Sequence, residues 1–351
     1  MANLRVAIIG YGLAGRFFHA ALIDATAGLE VATVVTGSAE RASQAMLEHP
    51  GVHVVARPEQ LWEAGHPDLV VVATPNEVHA SLAADAIDHG VPVVVDKPLA
   101  VSVGQAEALV ARAEDAGVLL TVFQNRRWDT DHLTLRRLMA EDALGEVVRY
   151  ESRFERWRPE PDPSAWRVSA SPEDGGGQLL DLGSHLIDQA VVLFGPVTHV
   201  YAEIENRRAR SSDDDVFLAL WHASGTISHL HAGSVIPSPG PRLRVQGTHA
   251  GFLVSGLDQQ ETALRSGARP DTTPNWGQPE EWERGRLVAG EQNVPVPGEP
   301  GDWPRFYALL EQALRQGGAP PVDPRDAVGV LRVMAAARES SAARTVVALG
   351  D

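Results

Sequence analysis

The chain has 351 residues, 44% of them hydrophobic and 22% charged, with a formal net charge of −16 at pH 7 and no cysteine. The length predicts two domains rather than one core, and the composition excludes fibrous and disordered classes. The acidic surplus makes nucleic acid and anionic membranes poor partners, while the lack of cysteine excludes disulfides, thiolate nucleophiles and cysteine-based zinc sites and fits a reducing cytoplasm.

In chain order, the first apolar stretch breaks at Gly10, so neither a signal peptide nor a membrane span is expected. Short β-branched runs follow at Val6–Ile9, Val31–Val35, Leu69–Ala73, Val93–Val95 and Leu119–Phe123. They are continuous rather than alternating, which predicts strands buried on both faces of a parallel sheet. Ala-rich segments at Val78–His89 and Val103–Ala116 have helical spacing, and strand–helix repetition of this kind predicts a doubly wound α/β sheet.

After Gln124 the pattern changes to longer, partly alternating runs at Glu146–Trp157, Val197–Asn206, Val216–His222, Thr226–Ala232 and Arg242–Gly247. With one helix at Ser184–Phe194 among them, they predict a second α/β domain on an open, mostly antiparallel sheet. The expected division is therefore a first domain of residues 1–124 and a second of residues 125–351. The stretch Arg158–Gly177 is expected to be a long irregular connection, and helices near Trp303–Gln316 and Asp326–Ser340 to close the chain.

Gly10-Tyr11-Gly12-Leu13-Ala14-Gly15 follows the first strand and opens a helix. The first glycine permits a tight turn, the second lets a pyrophosphate approach the backbone, and the third lets helix and strand pack closely. The helix start then offers its amides to phosphate, so Gly10, Gly12, Leu13, Ala14 and Gly15 are candidate cofactor contacts. At the end of the second strand, an acidic residue would favour NAD. The chain has Thr36-Gly37-Ser38 instead, with Arg41 one turn on. Small hydroxyls and a guanidinium suit a 2′-phosphate, so NADP is preferred to NAD, although Arg41 also reads as a solvated helix residue.

Asp96-Lys97-Pro98 ends a buried strand, where open α/β sheets place their ligands. A lysine there reads either as a proton-transfer group beside a nicotinamide or as half of an Asp–Lys pair at a strand exit. Downstream, Gly175-Gly-Gly-Gln-Leu-Leu-Asp181-Leu-Gly183-Ser184-His185 sets a carboxylate four positions before an imidazole, with Asp188 three further on. On a helix these share a face, a pairing used to bias a histidine as acid–base. The alternative is an N-cap aspartate with a buried, satisfied histidine. The three glycines are expected to let backbone close to a ligand.

Together these segments resemble the glucose–fructose oxidoreductase/inositol dehydrogenase (Gfo/Idh/MocA) family. The resemblance is carried by Gly10-x-Gly12-x-x-Gly15, Thr74-Pro75-Asn76-x-x-His79, Asp96-Lys97-Pro98 in place of a Glu-Lys-Pro motif, and Gly176-Gly177-x-x-x-Asp181-x-Gly183-x-His185. Through Asn125-Arg126-Arg127-Trp128-Asp129 and Trp166-Arg167 it looks closest to the NADP-dependent scyllo-inositol dehydrogenases. The resemblance implies that His185 takes the hydroxyl proton, Lys97 hydrogen-bonds the reacting oxygen and joins the proton relay, and Asp181 positions substrate or histidine. It places Thr74, Pro75, Asn76 and His79, with Asp96 and Lys97, at the cofactor. Arg127, Trp166 and Arg167 become candidate substrate or cofactor contacts. It also implies a homodimer or homotetramer through the open sheet face, for which Leu218 and Leu220 are candidates unless they pack under helices of their own chain. Alternative activities are an aldose or sugar-derivative dehydrogenase and a non-catalytic dinucleotide sensor.

Three further features carry less. His229-Leu-His231 puts two imidazoles on one strand face without an evident third ligand, so no metal is expected. Asp213-Asp214-Asp215 reads as a solvated turn. Trp276, Trp282 and Trp303 read equally as core anchors or cleft walls.

Overall fold

A computed structural model describes residues 2–63, 65–160, 170–208 and 211–350. The chain forms two compact units: Met1–Asn125 with Gln260–Trp276 and Trp303–Val328, and Arg126–Gln259 with Gly277–Asp302 and Gly329–Asp351. The first boundary falls one residue from the expected one. The later chain, expected to belong wholly to the second domain, instead returns two segments to the first.

The first unit is a six-stranded parallel sheet of β1 (Leu4–Ile9), β2 (Leu29–Val35), β3 (His53–Val55), β4 (Leu69–Val72), β5 (Val93–Asp96) and β6 (Leu120–Phe123). Its order is β3-β2-β1-β4-β5-β6, the doubly wound arrangement in which the strand order reverses beside β1. The apolar runs are buried on both faces: Val6 to Ile8, Leu69 to Val72 and Val93 to Val95 are all 0% exposed. Each such side chain stabilises the unit by roughly 1.5–3 kcal/mol. Strand β3 escaped the sequence reading because it is three residues long and only half covered at the sheet edge.

Helix α1 opens as a π-helical segment, Ala14–Ala20, and closes as Ala21–Asp24. Helices α2 (Ala39–Glu48), α3 (His79–Asp88) and α4 (Val103–Ala116) follow β2, β4 and β5. The segment from Gln260 and the helix Pro304–Gln316 complete this core. Trp303 is fully buried, edge-on to Phe18 at 5.8 Å. Its amide and the Trp276 indole N–H both donate to Gln260 Oε1, at 2.8 and 3.1 Å. Trp303 is thus a core anchor, whereas Trp282 is 58% exposed.

The second unit is a nine-stranded mixed sheet in which β7 (Val147–Glu155) lies between β10 (Ile227–Gly233) and β11 (Leu243–Gly247). Strands β8 (Val197–Glu205) and β9 (Asp215–His222) extend it on the β10 side, and β12 (Gly251–Val254) on the β11 side. Pairing is antiparallel except between β7 and β10. The alternation of β9 and β10 sorts their side chains by face. Leu218, Leu220 and Leu230 are buried on the face that also carries Tyr150 and Phe154, whose rings meet Phe194 and His185 of the helix Ser184–Phe194. This corrects the candidate interface: Leu218 and Leu220 are core, and the opposite face bears Phe217, Trp221, His229 and His231, all half-buried. His229 and His231 pack against the Phe217 ring at 5.8 and 5.0 Å, and Arg153 Nη2 lies 3.4 Å from His231 Nε2. Among the described residues no group of three or more histidine or carboxylate side chains is placed to hold a metal.

Candidate active site

In the first unit the predicted cofactor residues converge on the carboxyl ends of β1, β2, β4 and β5. Gly10 has φ +96°, and a Cβ there would collide with the Ala73 carbonyl at the end of β4. A Cβ on Gly15 would collide with the Gly10 carbonyl, so this glycine lets α1 lie against the turn. Gly12 is open, and the nearest atom to its virtual Cβ is Arg41 Nη1 at 4.0 Å. Arg41 is therefore poised over the glycine-rich turn. Ser38 caps α2, its Oγ accepting from the Arg41 amide at 3.4 Å, and its own amide donates to Thr36 Oγ1 at 3.3 Å. Across the turn, Thr74 Oγ1 is buried without a hydrogen-bond partner. An open backbone turn, a helix start, an exposed guanidinium and an orphaned hydroxyl fit a phosphorylated dinucleotide.

Tyr11, inside the glycine motif, is 1% exposed, with its hydroxyl 2.8 Å from both Glu48 Oε2 and His49 Nε2. Arg16 holds the same carboxylate at 2.6 Å, which keeps Glu48 below the usual carboxylate range despite partial burial. This network ties the glycine-rich turn to the far end of the helix that carries Arg41. The spacing of Tyr11 and Glu48, 37 residues apart, left no signal in the sequence.

At the end of β5, Asp96 Oδ1 accepts from the Lys97 amide at 2.9 Å, and the Lys97–Pro98 bond is cis. His79 was expected at the cofactor. Its ring is 1% exposed, with Nδ1 2.8 Å from the Pro98 carbonyl and Nε2 3.0 Å from the Thr74 carbonyl. Burial holds its pKa below the ordinary histidine value, so the neutral ring donates to one of these carbonyls at a time. His79 thus ties the exits of β4 and β5 together from below. Lys97 has a further property that motif reading passed over. It is the single lysine in a chain with 30 basic Lys and Arg residues.

In the second unit, Asp181 lies in a π-helical turn, Leu179–Gly183, that leads into the helix Ser184–Phe194 carrying His185, Asp188 and Gln189. π-helical turns concentrate at functional sites, and α1 begins with one as well. His185 is 6% exposed, its ring 6.5 Å from Phe154 and nearly perpendicular to it. Gly176 and Gly177 were expected to admit a ligand. They admit the chain itself: a Cβ on Gly176 would strike the Ala170 carbonyl, and one on Gly177 the Asp213 carboxylate.

Asp213 and Asp214 are 6% and 1% exposed, not solvated as expected. Asp213 Oδ2 accepts from the Leu179 amide at 2.7 Å, satisfying the start of the Asp181 turn. Burial raises the Asp213 carboxyl, opposed by that bond and by Arg338. Asp214 accepts from the Arg207 and Arg208 amides at 2.8 and 3.0 Å and from the Arg208 guanidinium at 2.8 Å.

Arg127, expected to touch substrate or cofactor, donates twice to Asp188, at 2.8 and 2.6 Å, and both side chains are nearly buried. Its guanidinium is committed to fixing the His185 helix. Gln189 Nε2 donates to the Arg126 carbonyl at 2.7 Å, while Arg242 reaches Gln189 Oε1 at 3.1 Å and Asp131 at 3.2 Å. Trp166 and Arg167 lie outside the described residues.

Residues 4–124 match the model of the Gfo/Idh/MocA oxidoreductase family with an NAD-binding Rossmann fold, and residues 132–253 match the family's C-terminal domain. The chain is 38% identical over 351 residues to the uncharacterized oxidoreductase YdgJ of Escherichia coli (strain K12), covering 99% of each. It is 32% identical to scyllo-inositol 2-dehydrogenase (NADP(+)) IolW of Bacillus subtilis (strain 168), covering 99% of this chain and 96% of that one. A solved structure of the Bacillus subtilis oxidoreductase yvaA superposes with a TM-score of 0.91 at 32% identity, over 99% of this chain and 100% of that one.

Proposed function

Because the chain belongs to the Gfo/Idh/MocA oxidoreductase family, we propose that it is an NADP-preferring dehydrogenase acting on a ring CH–OH carbon of a cyclic polyol, an inositol first among them. That it is an oxidoreductase with an NAD(P)-binding domain follows from family membership; cofactor preference and substrate are the proposal. The observation that carries its acid–base chemistry is Lys97. Every other basic side chain is an arginine, yet the strand-end position has kept an amine. A guanidinium donates hydrogen bonds as well as an ammonium does but does not release its proton in proteins. A lone lysine at this strand end therefore supports a group that hands a proton on.

The nicotinamide, when bound, supplies the hydride chemistry. Gly10, Gly12, Leu13, Ala14 and Gly15 would present backbone to the pyrophosphate, and Thr36, Ser38 and Arg41 would hold the 2′-phosphate. Lys97 hydrogen-bonds the reacting oxygen and joins the proton relay, His185 takes the hydroxyl proton, and Asp181 orients donor or histidine. Arg127 acts at a distance, through Asp188. A second copy of the chain is the proposed partner for the sheet face bearing Phe217 and Trp221, since that face keeps half-exposed aromatic rings. The absence of cysteine supports a cytoplasmic location.

The test is the absorbance of reduced cofactor with a panel of inositols and aldoses, with NADP and NAD supplied separately. Turnover of an inositol with NADP is the expected result. Turnover of aldoses alone would replace the substrate class, and failure to bind either dinucleotide would overturn the proposal.

A further inference from the structure

Beneath the Asp96–Lys97 turn lies a buried histidine that the proposed chemistry does not use. His19, on α1, is 0% exposed, with its ring 4.4 Å from Phe123. Its Nδ1 is 2.6 Å from Tyr307 Oη, and its Nε2 faces Asp96 Oδ1 at 4.0 Å with no hydrogen-bond partner. That same Asp96 oxygen accepts from the Lys97 amide at 2.9 Å.

The charged and titratable groups around His19 are Asp96, Tyr307 and His79. Burial holds the imidazole down to about 4, so near neutral pH it carries one N–H. Burial and the Asp96 charge push the Tyr307 phenol well up, so it keeps its proton. Two tautomers remain. If the phenol donates to Nδ1, the ring proton sits on Nε2 and points at the carboxylate. In the other, a lone pair faces a carboxylate and the buried phenol proton loses its acceptor, each an unfavourable outcome. The first tautomer prevails, giving the sequence Tyr307 O–H to His19, then His19 Nε2–H toward Asp96.

We propose that His19, oriented by Tyr307, is a positioning residue for Lys97: it steers the Asp96 carboxylate, and so fixes the backbone from which the lysine reaches its proton-transfer position. The contact at 4.0 Å is too long for a hydrogen bond, so its influence on Asp96 is electrostatic and ends if the Nε2 proton is lost. His79 holds the other side of the same tripeptide through the Pro98 carbonyl. This inference rests on Lys97 being the acid–base group of the proposed reaction.

Tyr307→Phe removes one hydroxyl and keeps the ring. It is expected to lower kcat about tenfold while KM for the polyol and the dissociation constant for NADP stay within about twofold. Asp96→Asn is expected to lose more, Asp96→Glu to recover most of that loss, and Tyr307→Phe to add nothing on top of Asp96→Asn. A readout independent of turnover is available because Lys97 is the single lysine. Reductive methylation of the full chain with 13C-formaldehyde labels Lys97 and the terminal amine alone. With NADP present, the Lys97 methyl resonance is expected to shift in Tyr307→Phe and in His19→Phe. An unmoved resonance with unchanged kcat overturns the proposal. So does a loss of thermal stability and NADP binding together while the resonance stays in place, which marks a purely structural role. If no variant turns over any polyol, wild type included, a shifted resonance still supports the positioning role and only the substrate assignment falls. Should Tyr307→Phe fail to fold, the Asp96→Asn and Asp96→Glu pair decides by the same two readouts.

Discussion

At the scale of single residues, the chain separates groups that do chemistry from groups that hold them. In the proposed reaction Lys97 is of the first kind, and its replacement by arginine would keep the charge while withholding the proton. Arg127 is the second kind. Its side chain is 12% exposed and that of Asp188 2%, so Arg127→Ala strands a buried carboxylate. The expected cost is about 3–5 kcal/mol of unfolding free energy, measured by urea denaturation. A substrate-binding arginine would instead raise KM and leave stability nearly unchanged. Gly10→Ala belongs here too. The positive φ and the Ala73 carbonyl both oppose a Cβ, so the variant is expected to lose at least about 1–3 kcal/mol of stability together with NADP binding.

At the scale of elements, the proposed preference for NADP rests on the start of α2. Removing the guanidinium in Arg41→Ala is expected to weaken NADP about 10–100-fold and leave NAD unchanged, read by fluorescence titration with each dinucleotide. Equal weakening of both would return Arg41 to the role of a solvated helix residue. The doubly wound sheet was legible because parallel strands buried on both faces are written as unbroken apolar runs, as in Val70 to Val72 and Val93 to Val95. The glycine-rich turn was legible because Gly10 and Gly15 each answer a local steric demand. What stayed hidden depends on distant partners. Asp213 looked solvated because nothing near it in sequence reveals that it closes the Asp181 turn, 34 positions away from Leu179. Likewise His79 shows its motif but not that both its nitrogens face carbonyls of its own chain. Leu218 and Leu220 show an apolar strand but not which face the helix covers.

At the scale of the whole molecule, buried neutral histidines make stability depend on acid. His132, on the helix Thr130–Ala140, is 2% exposed and held down to about 3 by burial and by Arg136, Arg127 and Arg242. His19 is held down to about 4. Both folded values lie below the unfolded one of 6.5. Their contribution is therefore full above about pH 6.5 and is lost as pH falls toward 4 and then 3. Between pH 7.5 and 4.5 the chain is expected to lose roughly 2–3 kcal/mol for each. Since neither His132 nitrogen has a hydrogen-bond partner, His132→Leu should flatten this slope and match the wild type at pH 7.5. An unchanged slope by denaturation across that range would remove His132 from the account.

Among the described residues no helix is long and apolar enough to cross a membrane. The activity proposed for the whole chain depends first on one amine, and the most direct measurement is the rate of NADPH formation from scyllo-inositol by wild type and Lys97→Arg side by side. Wild-type turnover that falls by about 10²–10⁴-fold in the variant, with NADP still bound, is the result predicted here. Equal rates for the two proteins would contradict a proton-transfer role for Lys97, and the absence of turnover by wild type would contradict the inositol assignment.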